Sequence, residues 1–194
     1  MEIPDLTILH YPHSTLRYQS QPIKRVDQQL KDLVEQMFSL MYEAKGVGLA
    51  ANQVGLPLRF FIVNTESNPN SGKEQVFINP VVRSPKGVSL HEEGCLSFPG
   101  LYGEVERPEG IYLQAYNLQG EIFSKSIDKF LARVVQHELD HLDGKLFIDH
   151  VDDETLEKIQ GGIDTLQKVA NENPAKEREE EIETFRQQVI QHYC

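Results

Sequence analysis

The stretch VVQHELDHLDGKLF, residues 134–147, decides the fold, because it predicts a buried helix that carries three polar groups. At about 3.6 residues per turn, His137 and His141 lie one turn apart on one face, so both rings can reach a single cation. Glu138 points about 100° away and can act next to that cation without binding it. In an otherwise apolar helix these groups are costly unless something satisfies them. The stretch therefore predicts a metal site.

The third metal ligand has several candidates. One class of zinc protease has a third histidine at position 147, which Phe147 excludes here, and a second class takes a downstream glutamate, for which Glu154 and Glu157 are available. Cys95, in EEGCLSFPG, is favoured, because a thiolate with two imidazoles leaves one tetrahedral position open, as in catalytic sites. His91 is a weaker rival, since a fourth protein ligand would close the site.

A glycine-rich loop, GVGLAANQVG at residues 46–55, is a second candidate for function. Its glycines permit close approach of the backbone to a ligand, and the amide of Gln53 could donate a hydrogen bond to a developing oxyanion. No Lys-Ser/Thr pair follows, so the loop is not a phosphate-binding loop.

Hydrophobic periodicity predicts the remaining elements. Apolar residues at steps of three and four indicate helices, and β-branched, aromatic or alternating runs indicate strands. The predicted helices cover 26–45, 129–142 and 153–170, and the predicted strands cover 58–65, 76–82 and 110–120, the last with a hairpin into EIFSKSI. Asp27 and Asp128 are the expected N-caps, Pro80 indicates a strand edge or bulge, and Gly161-Gly162 should weaken the third helix. Residues 87–107 are predicted to be irregular.

Composition bounds the class of protein. A net charge of −11 argues against non-specific nucleic-acid binding, and two cysteines among 194 residues fit a reducing compartment. The start lacks the pattern of a signal peptide, and no apolar run approaches the ~20 residues of a membrane helix, so a cytoplasmic location is expected.

The predicted domain organisation is one catalytic domain over residues 1–170 and an acidic tail over 171–194, which is helix-prone or disordered. Four apolar side chains of this tail could dock on the body or on a partner, although a solvated helix is favoured. They are Ile182, Phe185, Val189 and Ile190.

Three segments together resemble the signature motifs of peptide deformylases: GVGLAANQ at 46–53, EGCLS at 93–97 and HELDH at 137–141. They follow the order of that family, with 42 positions from Gln53 to Cys95 and 42 from Cys95 to His137. LTILHYP and HLDGKLFIDHV are also similar, so the resemblance covers about residues 5–151. The short spacing is typical of the bacterial and organellar type.

The resemblance implies an α+β fold, with small antiparallel or mixed sheets around a central buried helix that carries HExxH, plus N-terminal and C-terminal helices. It implies a hydrolase that removes the N-formyl group from the initiator methionine of nascent chains and releases formate. The implied metal is Fe²⁺, with Zn²⁺, Ni²⁺ or Co²⁺ as substitutes. A transient contact with the ribosome is expected, and the chain should be a monomer or a weak dimer.

The resemblance also implies roles for individual residues. Cys95, His137 and His141 would bind the metal, and Glu138 would be the general base and acid. Two donors would form the oxyanion hole, and three positions would hold the substrate backbone. The oxyanion donors are Gln53 and the N–H of Leu96, and the backbone positions are Val47, Gly48 and Gly94.

One departure from the family pattern is Tyr102, where many members have arginine, which indicates a differently charged rim of the substrate pocket. Arg107 is predicted to pair with Asp140 and to support the metal-binding helix. Two other functions stay open from the residues alone. An HExxH metalloendopeptidase would need a downstream glutamate ligand, and a non-catalytic metal-stabilised binding module would need a closed coordination sphere.

Overall fold

The computed structural model describes residues 5–172 and 176–194 of the chain. These residues form four α-helices and seven β-strands. In chain order they are α1 (Gln28–Glu43), β1 (Gly48–Ala50), β2 (Phe60–Val63), β3 (Gln75–Lys86), β4 (Ser89–Cys95), β5 (Phe98–Arg107), β6 (Gly110–Tyr116), β7 (Ile122–Asp128), α2 (Lys129–Leu142), α3 (Asp153–Glu172) and α4 (Lys176–Tyr193). The helices of these residues include none with the length and apolar character needed to cross a membrane.

The antiparallel strands form two sheets. The larger sheet has the order β1-β2-β3-β6-β7, and β4 pairs with β5 in a separate two-stranded sheet. The pairing register shifts between Ile78 and Val81, so the predicted irregularity at Pro80 is a bulge in an interior strand. Helices and antiparallel sheets together confirm the predicted α+β class.

Helix α1 forms as its sequence predicts. The side chain of Asp27 accepts a hydrogen bond from the N–H of Leu30 at 3.0 Å, which caps the first turn. Its apolar face, which includes Leu33 and Met37, is fully buried in the cluster beneath β1 and β2. Burial of this face, rather than helix propensity alone, stabilises the helix.

Helix α2 covers the predicted residues 129–142 and packs against the larger sheet. Its apolar side chains, Ala132 and Val135 among them, join the buried cluster that fills the space beneath β6 and β7. Asp128 occupies the N-cap position, as predicted, although its side chain makes no capping hydrogen bond. The helix ends before Gly144, whose φ of 72° is a left-handed conformation that glycine adopts without strain.

The prediction that residues 87–107 are irregular is wrong, because β4 and β5 form a hairpin there. In β5 the residues that alternate inward are Gly103, Val105 and Arg107. One glycine and one arginine among three inward positions remove the alternation of hydropathy by which a strand is usually recognised.

The third predicted helix forms without a break at Gly161-Gly162. A Cβ at Gly162 would lie 2.2 Å from Cδ2 of Leu101, whereas a Cβ at Gly161 would meet no atom of the described residues within 4 Å. Gly162 therefore permits close packing of α3 on β5, and only Gly161 carries the cost of helical glycine with no packing benefit.

The last two turns of α4 pack onto the body of the protein. Val189 and Tyr193 are buried, and the hydroxyl of Tyr193 donates to the carboxylate of Asp27 at 3.0 Å. The expectation of a solvated helix therefore does not hold for these turns. The side chain of Ile182 lies outside the described residues, as do residues 173–175. The division of the chain at residue 170 stays a prediction.

Candidate active site

Cys95, His137 and His141 come together although 46 positions separate the first from the last. One potential ligand atom from each lies within 4.8 Å of the others, and Sγ of Cys95 is 3.2 Å from Nε2 of His141. Within the described part of the chain, no other group of His, Cys, Asp and Glu side chains meets the same criterion. The rival ligands His91, Glu154 and Glu157 therefore do not belong to the cluster.

Local structure explains how the three side chains meet. His137 and His141 lie one turn apart on α2, with ring centroids 5.0 Å apart, and both are buried. Cys95 ends β4 at the tight turn of the hairpin, where the pairing register shifts between Gly94 and Cys95. The hairpin turn thus brings a thiol to the polar face of a helix that is otherwise buried among apolar side chains.

This donor set fits a divalent transition metal. Two imidazoles and a thiolate are the nitrogen and sulfur ligands that zinc and iron(II) accept, and three protein ligands leave a position for water or substrate. A second observation points to the same place: Oε2 of Glu138, a buried side chain next to His137, has no hydrogen-bond partner among the described residues. A buried carboxylate oxygen is costly unless a ligand satisfies it.

Glu138 has the properties of a general base and acid. Burial raises the pKa of its carboxyl group to about 7, and the nearby charges of His137 and Arg107 only partly oppose this. A pKa near neutrality lets one carboxyl group accept and return a proton. A Cβ at Gly48 would lie 2.4 Å from Oε1 of Glu138, so the absence of a side chain at Gly48 is what admits the carboxylate.

Gln53 is fixed in one orientation next to the cluster. Its Oε1 accepts from the N–H of Ala50 at 2.8 Å, and its Nε2 donates to Oγ of Ser97 at 3.1 Å and lies 3.5 Å from Sγ of Cys95. Because the backbone holds the carbonyl end, the amide N–H groups face the cluster. This orientation suits donation to an oxygen atom of a bound substrate. Nothing in the sequence around Ser97 indicates that this side chain contacts Gln53.

A buried ionic network supports His137. The carboxylate of Glu93 accepts from Nε of Arg107 at 2.6 Å and from Nη1 of Arg133 at 2.6 Å, and it lies 3.0 Å from Nδ1 of His137. Burial alone would raise the pKa of Glu93, but hydrogen bonds from His137 and Arg107 lower it to about 2. The network fixes the orientation of a ligand ring, as is usual around metals.

The predicted pair Arg107 and Asp140 belongs to the same network, with Nη1 of Arg107 2.7 Å from Oδ2 of Asp140. Sequence reasoning missed Glu93 and Arg133. Arg133 carried a usable signal, because it lies one turn before His137 on the same face of a helix predicted to be buried, where a cation needs a partner.

A cavity of about 640 Å³ opens onto the cluster. Its walls include the predicted substrate-binding residues Val47, Gly48 and Gly94 and the predicted oxyanion residue Leu96. Tyr102, which was expected at the rim of the substrate pocket, also lines it, and so does Phe130, an exposed aromatic side chain that was not predicted to bind substrate. This volume is within the range of sites that enclose small ligands or several residues of a peptide.

Comparisons with known proteins agree with this geometry. The sequence profile of a family described as polypeptide deformylase matches residues 5–157. A peptide deformylase of Rhodopirellula baltica is 49% identical over 159 residues, which are 82% of this chain and 79% of that protein. The chloroplastic/mitochondrial peptide deformylase 1B of Arabidopsis thaliana is 41% identical over 180 residues, which are 92% of this chain and 66% of that protein.

Solved structures give the same result. A crystal structure of a plant peptide deformylase superimposes with a TM-score of 0.85 at 40% identity, covering 89% of this chain and 95% of the other. A peptide deformylase from Plasmodium falciparum superimposes with a TM-score of 0.85 at 34% identity, covering 87% of this chain and 99% of the other. Both identities are high enough for the likeness to extend beyond the fold.

Proposed function

This chain belongs to the peptide deformylase family, and from that premise we propose that Cys95, His137 and His141 hold its catalytic metal. It is a metallohydrolase that removes the N-formyl group from the initiator formyl-methionine of newly synthesised polypeptides and releases formate. The observation that carries the proposed site is the cluster of three ligand atoms within 4.8 Å, beside a carboxylate oxygen of Glu138 that has no hydrogen-bond partner in the described part of the chain.

The identity of the bound metal is a separate part of the proposal. Fe²⁺ is the proposed native ion, with Zn²⁺, Ni²⁺ or Co²⁺ as substitutes, because a thiolate with two imidazoles accepts all four. A divalent cation bound there would supply Lewis acidity, which would lower the pKa of a water molecule at the site to about 7. The free thiol makes the site sensitive to oxidation.

The side chains divide the remaining work. Glu138 accepts the proton that the attacking water loses and delivers it to the methionine nitrogen as the C–N bond breaks, which yields formate and a free amine. The amide of Gln53 and the N–H of Leu96 donate to the formyl oxygen as it gains negative charge. Removal of one such donor typically costs about 10²–10³ in rate.

Two further groups of residues position the reactants. The backbone at Val47, Gly48 and Gly94 would bind the peptide backbone of the substrate. Arg107 would act through Glu93 and Asp140, since it is hydrogen-bonded to both, and it would hold α2 and the ring of His137 in place. Positioning of this kind lowers the entropy that the reaction must lose.

The setting of the reaction is also a proposal. Because the substrates are nascent chains, a transient ribosome contact is expected, and non-specific nucleic-acid binding is disfavoured by the net charge of −11. A cytoplasmic location is proposed from the low cysteine content, although the names of the Arabidopsis and rice relatives assign those proteins to organelles. A monomer or weak dimer is proposed.

The test is formate release from formyl-Met-Ala-Ser by anaerobically purified protein whose bound metal is quantified. We expect turnover that depends on the metal. Glu138→Gln should keep the metal and lose activity by about 10²–10⁴-fold, because the proton carrier is lost. A metal-loaded protein without formate release would refute the proposed site, and so would full activity of the metal-loaded Glu138→Gln variant.

A further inference from the structure

Three buried polar atoms around the last turn of α2 have no hydrogen-bond partner among the described residues. They are Nδ1 of His141, Oδ1 of Asn52 and Oγ of Ser20. The three side chains are 1%, 0% and 4% exposed, so bulk solvent does not reach them. A buried polar atom without a partner is costly, and in proteins an ordered water molecule commonly satisfies such atoms.

Hydrogen bonds to two consecutive carbonyl groups bring these residues to the same place. The N–H of Ser20 donates to the carbonyl oxygen of Leu142 at 2.9 Å, and the side-chain amide of Asn52 donates to the carbonyl oxygen of His141. Both carbonyl groups belong to the end of α2, where a helix leaves acceptors that other segments must satisfy. Ser20 and Asn52 therefore approach His141 from two separate segments of the chain.

The ring of His141 needs an acceptor on the side that faces away from the ligand cluster. Its Nε2 lies 3.2 Å from Sγ of Cys95, so Nδ1 is the other ring nitrogen. A neutral imidazole that binds a cation through Nε2 carries its hydrogen on Nδ1, and that N–H usually donates to a carboxylate, a carbonyl group or water. The carboxylate of Glu93 lies 3.0 Å from Nδ1 of His137, whereas the described residues offer His141 no such partner.

We propose that Asn52 and Ser20 are positioning residues that hold one buried water molecule against Nδ1 of His141. The water accepts from the Nδ1–H group and donates to Oδ1 of Asn52 and Oγ of Ser20, and three hydrogen bonds are typical of buried water. This arrangement selects the tautomer whose Nε2 is available to a cation, and it fixes the plane of the ring. The inference rests on the proposed metal site and adds a support for one of its ligands.

The proposed water molecule is distinct from the solvent that substrate displaces. Within the described part of the chain, the walls of the catalytic cavity do not include Ser20, Asn52 or His141. A high-resolution crystal structure of the Zn²⁺-loaded protein should therefore contain an ordered water molecule within about 3.2 Å of all three atoms. Electron density without such a water molecule, with the three atoms still unpaired, would overturn the inference.

Two substitutions measure the support in solution. Ser20→Ala removes only the hydroxyl group, because the N–H that bonds to Leu142 stays, and it should raise the dissociation constant of Zn²⁺ by about 2- to 10-fold. Asn52→Leu removes the whole side-chain amide and should raise it by about 10- to 100-fold. Thr155→Val is the matched control, since it removes a buried hydroxyl group from α3, and it should keep the wild-type affinity.

A spectroscopic signature separates positioning of the ring from a general loss of stability. In Zn²⁺-loaded protein whose histidine rings carry ¹⁵N, we expect slowly exchanging Nδ1–H signals from both His137 and His141. Ser20→Ala should shift the His141 signal and speed its exchange with solvent. The His137 signal is an internal reference, because Glu93 holds that ring, and it should not change.

The outcomes that contradict the inference are clear for each variant. Wild-type Zn²⁺ affinity in both Ser20→Ala and Asn52→Leu would overturn it, and so would an unchanged His141 signal in folded Ser20→Ala. If Asn52→Leu does not fold, Ser20→Ala alone decides. Failure of the wild-type protein to bind metal would overturn the proposed metal site itself, whereas tight binding that neither substitution weakens would overturn only the role of the buried water.

Discussion

Replacement of Gly48 by alanine should lower the activity of the enzyme strongly and change its stability little. A Cβ at this position would lie 2.4 Å from Oε1, 2.9 Å from Cδ and 3.0 Å from Cγ of Glu138. Ordinary van der Waals contact begins at 3.4 Å, so Oε1 must retreat by about 1 Å. Rotation of the carboxylate alone cannot relieve the clash, since Cδ and Cγ are also too close. The whole buried side chain must move.

The magnitude follows from the displacement. A shift of about 1 Å in a catalytic group can cost about 10²-fold in rate, which equals about 2.7 kcal/mol of transition-state stabilisation. Stability should change little, because alanine restricts the unfolded chain and contributes about 0.4–1 kcal/mol, which offsets part of the strain. The three atoms nearest to the new methyl group all belong to Glu138 and none to a metal ligand, so the bound metal should be retained.

The assay is formate release from formyl-Met-Ala-Ser by wild type and Gly48→Ala at matched metal content, with unfolding followed in parallel. We expect kcat to fall by about 30- to 100-fold while the unfolding midpoint shifts by only a few degrees. A kcat within twofold of wild type would refute the argument that the contact with Gly48 fixes the position of Glu138. A large loss of metal or of folded protein would also refute it, because the effect would then not be local.

Three further outcomes are expected. Gly161→Ala should raise the free energy of unfolding by about 0.5–1 kcal/mol. Gly162→Ala should gain less stability or lose stability, because its methyl group displaces Leu101. Chemical denaturation of the two variants checks this. Glu93→Gln should destabilise the fold by about 3 kcal/mol and weaken metal binding about 10- to 100-fold, measured by denaturation and chelator competition; wild-type values for both would contradict the supporting network. The folded-state pKa of Asp27 is lowered to about 2, so its contribution to the free energy of unfolding is present above about pH 4 and is lost as pH falls towards 2. Asp27→Asn should therefore make the free energy of unfolding fall less steeply at acid pH. Parallel wild-type and variant curves would contradict this.

The helix that carries His137, Glu138 and His141 was predictable, because the residues that indicate it all lie within one short stretch of sequence. The spacing of His137, Glu138 and His141 places them on adjacent faces of one helix whatever the rest of the chain does. Cys95 was identified by a different route, through the number of ligands that a catalytic metal needs and through the resemblance of EGCLS to a family motif. Neither argument gives a distance, and only the folded chain brings the thiol within 3.2 Å of His141.

The β4–β5 hairpin could not be recognised from hydropathy, because its inward face combines Gly103 and Val105 with the charged residues Glu93 and Arg107, which neutralise each other. Glu93 and Arg107 belong in the interior only when Arg133 and His137 of α2 are also there. A pattern of single residues cannot show that such long-range pairs exist. The sequence therefore predicted a loop where the structure has the strands that carry Cys95 and the rim of the cavity.

The docking of α4 was hidden for a related reason. Its charged residues dominate the composition of the tail, and only a few apolar positions mark a face that packs. Val189 and Tyr193 are buried because the body of the protein offers a matching surface, where Asp27 both caps α1 and accepts from Tyr193. Whether an amphipathic segment finds such a surface depends on the complete fold.

The most direct test of the central claim is X-ray absorption spectroscopy at the edge of the metal in anaerobically purified protein. We expect a coordination shell with one sulfur and two imidazole nitrogens, and loss of the sulfur in Cys95→Ser. A shell of nitrogen and oxygen ligands alone in the active wild-type protein would contradict it.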